Sequence, residues 1–190
     1  MILGITGGTG CGKTTLLKEI EERGGLVLDC DAVYHDLLTR DEVLLSAIND
    51  RFPGVVVDKK LERKKLGAIV FNDTQALLDL NAITHGAIRA EILRRLAEKP
   101  ALAAIDAIAL FEGGLAELCD ATVAVCAPAQ IRVERLMTRD GISREYAQHR
   151  IKAQKSEDWF REQCGYTLYN DGTREEFREK CAEFLDGLLK

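Results

Sequence analysis

The chain contains no apolar run approaching the ~18 residues a membrane-spanning helix needs, so no span is expected. Its first residues lack a charged leader followed by a long apolar stretch, so no signal peptide is expected and a cytoplasmic protein is the default. None of the 6 cysteines stands in a C-x-x-C pair, and no Cys/His spacing suggests zinc. They read as reduced thiols, most of them small core residues. Positive charge is also in deficit, with 26 Lys and Arg against 31 Asp and Glu, a net charge of −5. That balance argues against nucleic acid as a partner, which needs a broad cationic surface, but leaves room for one phosphate pocket. No internal repeat, low-complexity tract or obligate protein partner is evident. At 190 residues one domain with insertions is expected.

What is present alternates. Ile2–Thr6 reads as a buried strand, Lys13 to about Arg23 as a helix stopped by Gly24-Gly25, and Leu26–Leu28 as a strand ending at Asp29. Ala101–Leu110 contains a strand, Ala121–Ala127 another, and Tyr166–Tyr169 a fifth before the turn Asn170-Asp171-Gly172. A last helix begins near Thr173. Strands alternating with helices imply a parallel sheet covered on both faces. Two long segments break this rhythm. Residues ~34–98 read as mainly helical, with a break at Pro53-Gly54 and a stop at Pro100, and residues ~129–160 as helical and arginine-rich. Both are expected as insertions over the sheet edge where α/β folds bind ligands.

Gly7-x-x-x-x-Gly12-Lys13-Thr14 fits G-x-x-x-x-G-K-[ST] and stands between a strand and a helix, as a phosphate loop requires. Several backbone N–H groups must meet phosphate oxygens at once, and glycines let the chain curl to present them. The helix start adds its positive end. Lys13 supplies a mobile charge for the β and γ phosphates, and the Thr14 hydroxyl can ligate Mg²⁺. The guanine-reading N-K-x-D and the γ-phosphate sensor D-x-x-G are both missing, which points away from a regulatory GTPase. A small-molecule kinase fits better, with an acceptor pocket and a lid that excludes water. Asp29 and Asp31 fall at the end of the second strand, on the same sheet edge as the loop. A carboxylate there can take a proton from an attacking hydroxyl or hold Mg²⁺ through water, or it can cap a helix. The catalytic role is assigned to Asp31 and the structural one to Asp29.

At these residues the chain resembles the dephospho-CoA kinase family. Thr6 to Thr15 is similar to its loop T-G-G-I-G-S-G-K-S-T, and Asp29-Cys30-Asp31 to its D-A-D, whose second aspartate is the expected catalytic carboxylate. Leu66-Gly67-Ala68-Ile69-Val70-Phe71 resembles L-G-x-x-V-F, and Leu80-Asn81-Ala82-Ile83-Thr84-His85 resembles L-N-x-I-x-H-P. Asp106 to Glu112 resembles D-x-P-L-L-F-E. Gln130 through Arg139-Asp140-Gly141 resembles the lid R-L-x-x-R-D-G, and Asn170-Asp171-Gly172 the N-x-G near the adenine pocket. Gly86 stands where the family has a proline, and Ile108 or Ala109 where it has another. Cys11 and Thr14-Thr15 replace serine and Ser-Thr.

The resemblance implies a three-layer α/β P-loop fold with a five-stranded parallel sheet, a core of residues 1–33, 99–128 and 161–190, a helical acceptor insertion at 34–98 and a lid at 129–160. It implies transfer of the γ-phosphate of ATP, with Mg²⁺, to the ribose 3′-hydroxyl of dephospho-CoA. Asp31, Lys13 and Arg139 become the catalytic candidates. Gly8, Thr9, Gly10, Cys11, Gly12, Lys13, Thr14, Thr15, Arg135 and Asn170 become the ATP contacts, with Thr14 on the metal. Leu66, Phe71, Asn81, His85 and Glu112 become acceptor contacts, joined by His35, one turn after Asp31. Arg132, Arg135 and Arg139 share a helical face at i, i+3 and i+7, with Val133, Leu136 and Met137 beside it free to pack. That face neutralises transferring phosphate or is simply solvated. Lys59-Lys60 and Arg63-Lys64-Lys65 meet acceptor phosphates or water, and Trp159 and Phe160 pack the lid base rather than stack on adenine. A kinase for a shikimate-like acceptor and a non-catalytic nucleotide-binding module are the alternatives.

Overall fold

A computed structural model describes residues 1–189. The central strand of its five-stranded sheet is β1 (Ile2–Thr6), flanked by β5 (Ala103–Asp106) and β6 (Ala121–Cys126). The full order adds β2 (Leu26–Asp29) outside β5 and β7 (Tyr166–Tyr169) outside β6. β1 runs parallel to β5 and to β6, and β6 to β7, with Leu3 opposite Ala104 and Ala121, and Val125 opposite Leu168. The parallel sheet is therefore the expected one. Parallel strands need covered faces, and the period-2 alternation of side chains shows how they are covered. Leu3, Ile5, Ala104, Val123 and Val125 pack on one face against Leu16, Leu17 and Ile20 of α1 (Lys13–Glu22) and Phe177, Cys181 and Leu185 of α9 (Arg174–Leu188). Ala124 and Cys126 turn the other way, against Phe160 of α8 (Glu157–Gln163). Each large apolar side chain removed from water there contributes ~1.5–3 kcal/mol before entropy is counted.

Ala103, Ala104 and Ile105 of β5, an interior strand between β2 and β1, are fully buried, as a strand covered on both faces should be. Burial also settles the cysteines. Cys126 and Cys181 are buried, and desolvation pushes both thiols up to about 12, so they stay protonated hydrophobes at neutral pH. Among the described residues no helix is long and apolar enough to cross a membrane.

The chain divides into two units. The first holds residues 1–28, 100–111 and 115 onward, and so includes the sheet together with α6 (Ala129–Asp140) and α7 (Arg144–Lys152). These two helices share a small core of Val133, Leu136 and Ala147, packed by Met137, Ile142 and Ile151. Trp159 stacks edge-on against Phe111 and Phe160, so this aromatic pair packs as expected.

The second unit, residues 29–99 with 112–114, is helical: α2 (Cys30–Arg40), α3 (Glu42–Arg51), α4 (Arg63–Val70) and α5 (Thr74–Leu96). Aspartates at Asp29, Asp41 and Asp73 cap α2, α3 and α5 by accepting from two backbone N–H groups each. The cap of α2 is thus Asp29, not Asp31, because the helix starts at Cys30 directly after β2. A hairpin, β3 (Val56–Val57) and β4 (Lys60–Leu61), interrupts the helices where none is foreseen. Its two-residue turn has positive φ at Asp58 and Lys59, 50° and 60°, the geometry usually reserved for Asn-Gly. Without glycine that turn leaves little trace in the sequence.

Candidate active site

The loop between β1 and α1 carries its carbonyl oxygens to fixed partners. Gly7 O accepts from Lys13 Nζ at 3.2 Å, and Gly8 O from the Cys11 N–H at 3.2 Å. Thr9 O accepts from Arg132 Nε at 2.8 Å. Gly10 O takes a longer contact from Arg135 Nη1, 3.4 Å. Cys11 O accepts from Asn170 Nδ2 at 2.8 Å and from Arg135 Nη1 at 3.3 Å. In a trans peptide the carbonyl and the following N–H point to opposite sides, and among the described residues there is no cis bond. Anchoring the Thr9 and Cys11 carbonyls to residues outside the loop therefore turns the Gly10 and Gly12 N–H groups the other way, as an anion cradle requires.

The loop closes on Gly12, with φ 98° and ψ 25°, which serves as the N-cap of α1 without a side-chain bond. The first turn of α1 has no acidic residue; the Thr15 N–H donates to Gly12 O at 3.1 Å, and the helix's positive end is left for an anion. A Cβ at Gly12 would lie 2.1 Å from Asn170 Nδ2. Asn170, 4% exposed, also accepts from Arg135 Nη2 at 2.9 Å, which fixes its amide orientation. Lys13 Nζ stands 3.7 Å from Asp106 Oδ1 at the end of β5. Cys11 is 1% exposed, and burial raises its thiol above the ordinary value, so it serves the loop through its backbone. The Thr14 side chain is exposed on the first turn of α1, and Thr15 is half-buried behind it.

α6 distributes its three arginines unequally. Arg132 and Arg135 reach the loop, whereas Arg139 is exposed and grips its neighbour Asp140 in two bonds of 2.7 and 3.0 Å. Arg150 of α7 joins that carboxylate at 2.7 Å. Together, Arg139 first, they hold the Asp140 carboxyl down at about 2. Arg139 is thus not among the loop's contacts here.

In the helical unit, Asp31 is exposed on the first turn of α2, and its carboxylate has no hydrogen-bond or ion-pair partner among the described residues. His35, one turn on, meets Arg63 through Nδ1 at 3.1 Å and lies beside the Tyr34 ring. Leu66 is buried in the unit's core, while Phe71 is 89% exposed just past α4. Asn81 and His85 are half-buried along α5, and Glu112 is exposed. Lys59 is tied to Glu42 at 2.6 Å.

Three participants escape the sequence reading of the site. Arg132 appears there only as one of a shared face, Asp106 only within a motif, and Gln154 not at all. Gln154 Oε1 accepts from the Thr9 N–H at 2.8 Å, 145 residues away. Asp106 left a signal, a carboxylate closing an apolar strand; Gln154 left none, since its contact exists only after folding.

A family model described as dephospho-CoA kinase matches residues 1–176. A Deinococcus radiodurans dephospho-CoA kinase is 39% identical over 177 residues, 91% of this chain and 85% of its own. The crystal structure of a Thermus thermophilus protein superposes with a TM-score of 0.85 at 32% identity, covering 100% of this chain and 98% of that one. A Bacteroides thetaiotaomicron shikimate kinase shares the fold at a TM-score of 0.60 but only 18% identity, covering 100% of this chain and 98% of that one. The chain belongs to the dephospho-CoA kinase family.

Proposed function

We propose that the protein transfers the γ-phosphate of ATP to the ribose 3′-hydroxyl of dephospho-CoA, giving coenzyme A and ADP, the final step of coenzyme A synthesis. The observation that carries this reading is the loop with its Thr9 and Cys11 carbonyls tied outward and Lys13 at its base, in a chain of this family. The acceptor oxygen attacks the γ-phosphorus, the bond to the bridging oxygen of ADP breaks, and the hydroxyl proton passes to Asp31. Little covalent chemistry is asked of the protein, so positioning and electrostatics supply the rate. The loop amides, with Lys13, Thr14, Thr15, Arg135 and Asn170, hold the nucleotide, and Arg139, released from Asp140, neutralises charge on the transferring group.

The Thr14 hydroxyl and the Asp106 carboxylate are oxygen donors, the type Mg²⁺ prefers, and would hold the ion that accompanies ATP. Bound there, Mg²⁺ would supply charge neutralisation across the phosphates. Residues 34–98 receive the acceptor, through His35, Leu66, Phe71, Asn81 and His85, joined by Glu112; residues 129–160 act as the lid. A cytoplasmic enzyme without an obligate protein partner is part of this reading. An ADP-release assay across alcohol acceptors tests it. Stimulation is expected with dephospho-CoA alone; stimulation by shikimate instead, or none by any acceptor, overturns it.

A further inference from the structure

We propose that Arg132 and Gln154 are positioning residues that lock the tip of the phosphate loop and thereby set nucleotide affinity rather than acceptor affinity. Both backbone groups of Thr9 are held by side chains. Its carbonyl accepts from Arg132 Nε at 2.8 Å, and its N–H donates to Gln154 Oε1 at 2.8 Å. Arg132 Nη2 closes the triangle by donating to the same Gln154 oxygen at 3.3 Å. The Thr9 carbonyl bond fixes the peptide plane ahead of it and turns the Gly10 N–H to the opposite side. The Thr9 N–H bond fixes the plane behind, where Gly8 O is free to accept from the Cys11 N–H. Two consecutive planes at the tip are therefore set from outside the loop.

Arg132 is an expensive way to do this. It is 6% exposed; among the described residues no carboxylate lies within ion-pair distance of its guanidinium, and Glu157 attracts it only from farther off. A buried cation without an acidic partner is unfavourable unless something else stabilises it. Here the partners are a loop carbonyl and an amide oxygen, and the phosphates bound by the loop would add the missing negative charge. The guanidinium also presses on Gly8, where a Cβ would stand 2.2 Å from Nη2 and 2.7 Å from Cζ. Glycine at that position is thus demanded by Arg132 as well as by the anion. Because α6 carries Arg132 and Gln154 follows α7, the segment 129–160 is fastened to the loop tip at this point.

The inference rests on the loop's being a nucleotide site, and its test does not depend on the acceptor. The wild type, Gln154→Leu, Arg132→Lys, Arg132→Met and the Met/Leu double variant are compared by the ATP dissociation constant, by the dephospho-CoA KM at saturating ATP and by amide exchange at Thr9. ATP affinity is expected to fall roughly tenfold in Gln154→Leu and in Arg132→Met. Arg132→Lys falls between, because an ammonium lacks the fork that reaches two acceptors. The double variant should be little worse than the worse single one, as expected for one shared contact. Acceptor KM should stay within about twofold, and exchange at Thr9 should accelerate in Gln154→Leu. Unchanged ATP affinity and Thr9 exchange in Gln154→Leu would overturn the proposal even if Arg132→Met failed to fold. Additive losses, or an equal rise in acceptor KM, would overturn it as well. A wild type that binds ATP yet ignores dephospho-CoA would defeat the acceptor reading and leave this test intact.

Discussion

The phosphate loop and the helical unit treat their candidate residues in opposite ways. Around the loop, Lys13, Arg132, Arg135 and Asn170 are already engaged with backbone oxygens. In the helical unit, Asp31, Phe71 and Glu112 are exposed, and His35 touches only Arg63 and the Tyr34 ring. The first region is preorganised: its donors are aimed before any ligand arrives, which keeps the cost of binding low. The second keeps its groups uncommitted, which suits an acceptor that supplies its own partners. The difference teaches that, under the proposed function, the nucleotide common to many enzymes would meet groups already fixed in place, and the distinctive acceptor would meet side chains still at liberty.

The sharpest way to break this contrast is at Asp31. Asp31→Asn should lower turnover about 100-fold or more while ATP affinity stays within about twofold, because in the proposed reaction the carboxylate would act on the hydroxyl and not on the nucleotide. Steady-state kinetics with a direct ATP-binding measurement check this; unchanged turnover removes the base. Next is Gly12→Ala. Its φ of 98° is unfavourable for a side chain, and the added Cβ would drive out Asn170. ATP affinity should fall more than tenfold with the circular-dichroism spectrum intact, whereas an unaffected affinity would mean that the Asn170 bond to Cys11 O does not shape the cradle.

A third test addresses how the helical unit holds itself rigid enough to leave its surface free. Glu91 of α5 is 6% exposed and accepts from Arg94, Arg95 and Arg40 at 2.8–2.9 Å. Arg94 above all, then Arg95 and Arg40, hold its carboxyl far below its ordinary value of 4.5. A depressed carboxyl contributes stability that is whole above the unfolded value and fades as pH drops beneath it. Glu91→Gln should therefore cost about 1–2 kcal/mol at pH 7, discounted because Arg94 is largely exposed, and the deficit should shrink below pH ~4.5. Urea denaturation at both pH values measures it, and a pH-independent deficit would point to packing instead.

Legibility follows the same division. The strands, the phosphate loop and the Asp29 cap were readable because each is a local rule: period 2, glycine spacing, a short acidic side chain before a helix. The parallel direction of the strands followed from the alternation of elements, whereas their order in the sheet did not. The hairpin at Asp58-Lys59 was not readable, since its left-handed turn lacks the glycine that would announce it. Gln154 was invisible for a deeper reason. A half-buried glutamine acquires meaning only when folding brings it against Thr9, and no spacing rule spans that distance. The unequal fates of Arg132, Arg135 and Arg139 were equally hidden, because one helical face gives no sign of which turn meets the loop and which meets Asp140.

The smallest expected effect concerns Phe71. At 89% exposure it contributes almost nothing to the core, so Phe71→Ala should change stability by no more than ~0.5 kcal/mol. If the acceptor's apolar portions cover the ring, the dephospho-CoA KM should rise a few-fold while turnover and the ATP KM hold. Leu66→Ala, by contrast, opens a cavity in the same unit and should cost ~2–4 kcal/mol, because Leu66 is 5% exposed and packed. Running the two variants side by side separates a ring that only a ligand would cover from a side chain that the fold needs whether or not it also meets the acceptor. Should Phe71→Ala leave every kinetic constant untouched, the ring does not meet the acceptor, and the case for an uncommitted binding surface would rest on Asp31, His35 and Glu112.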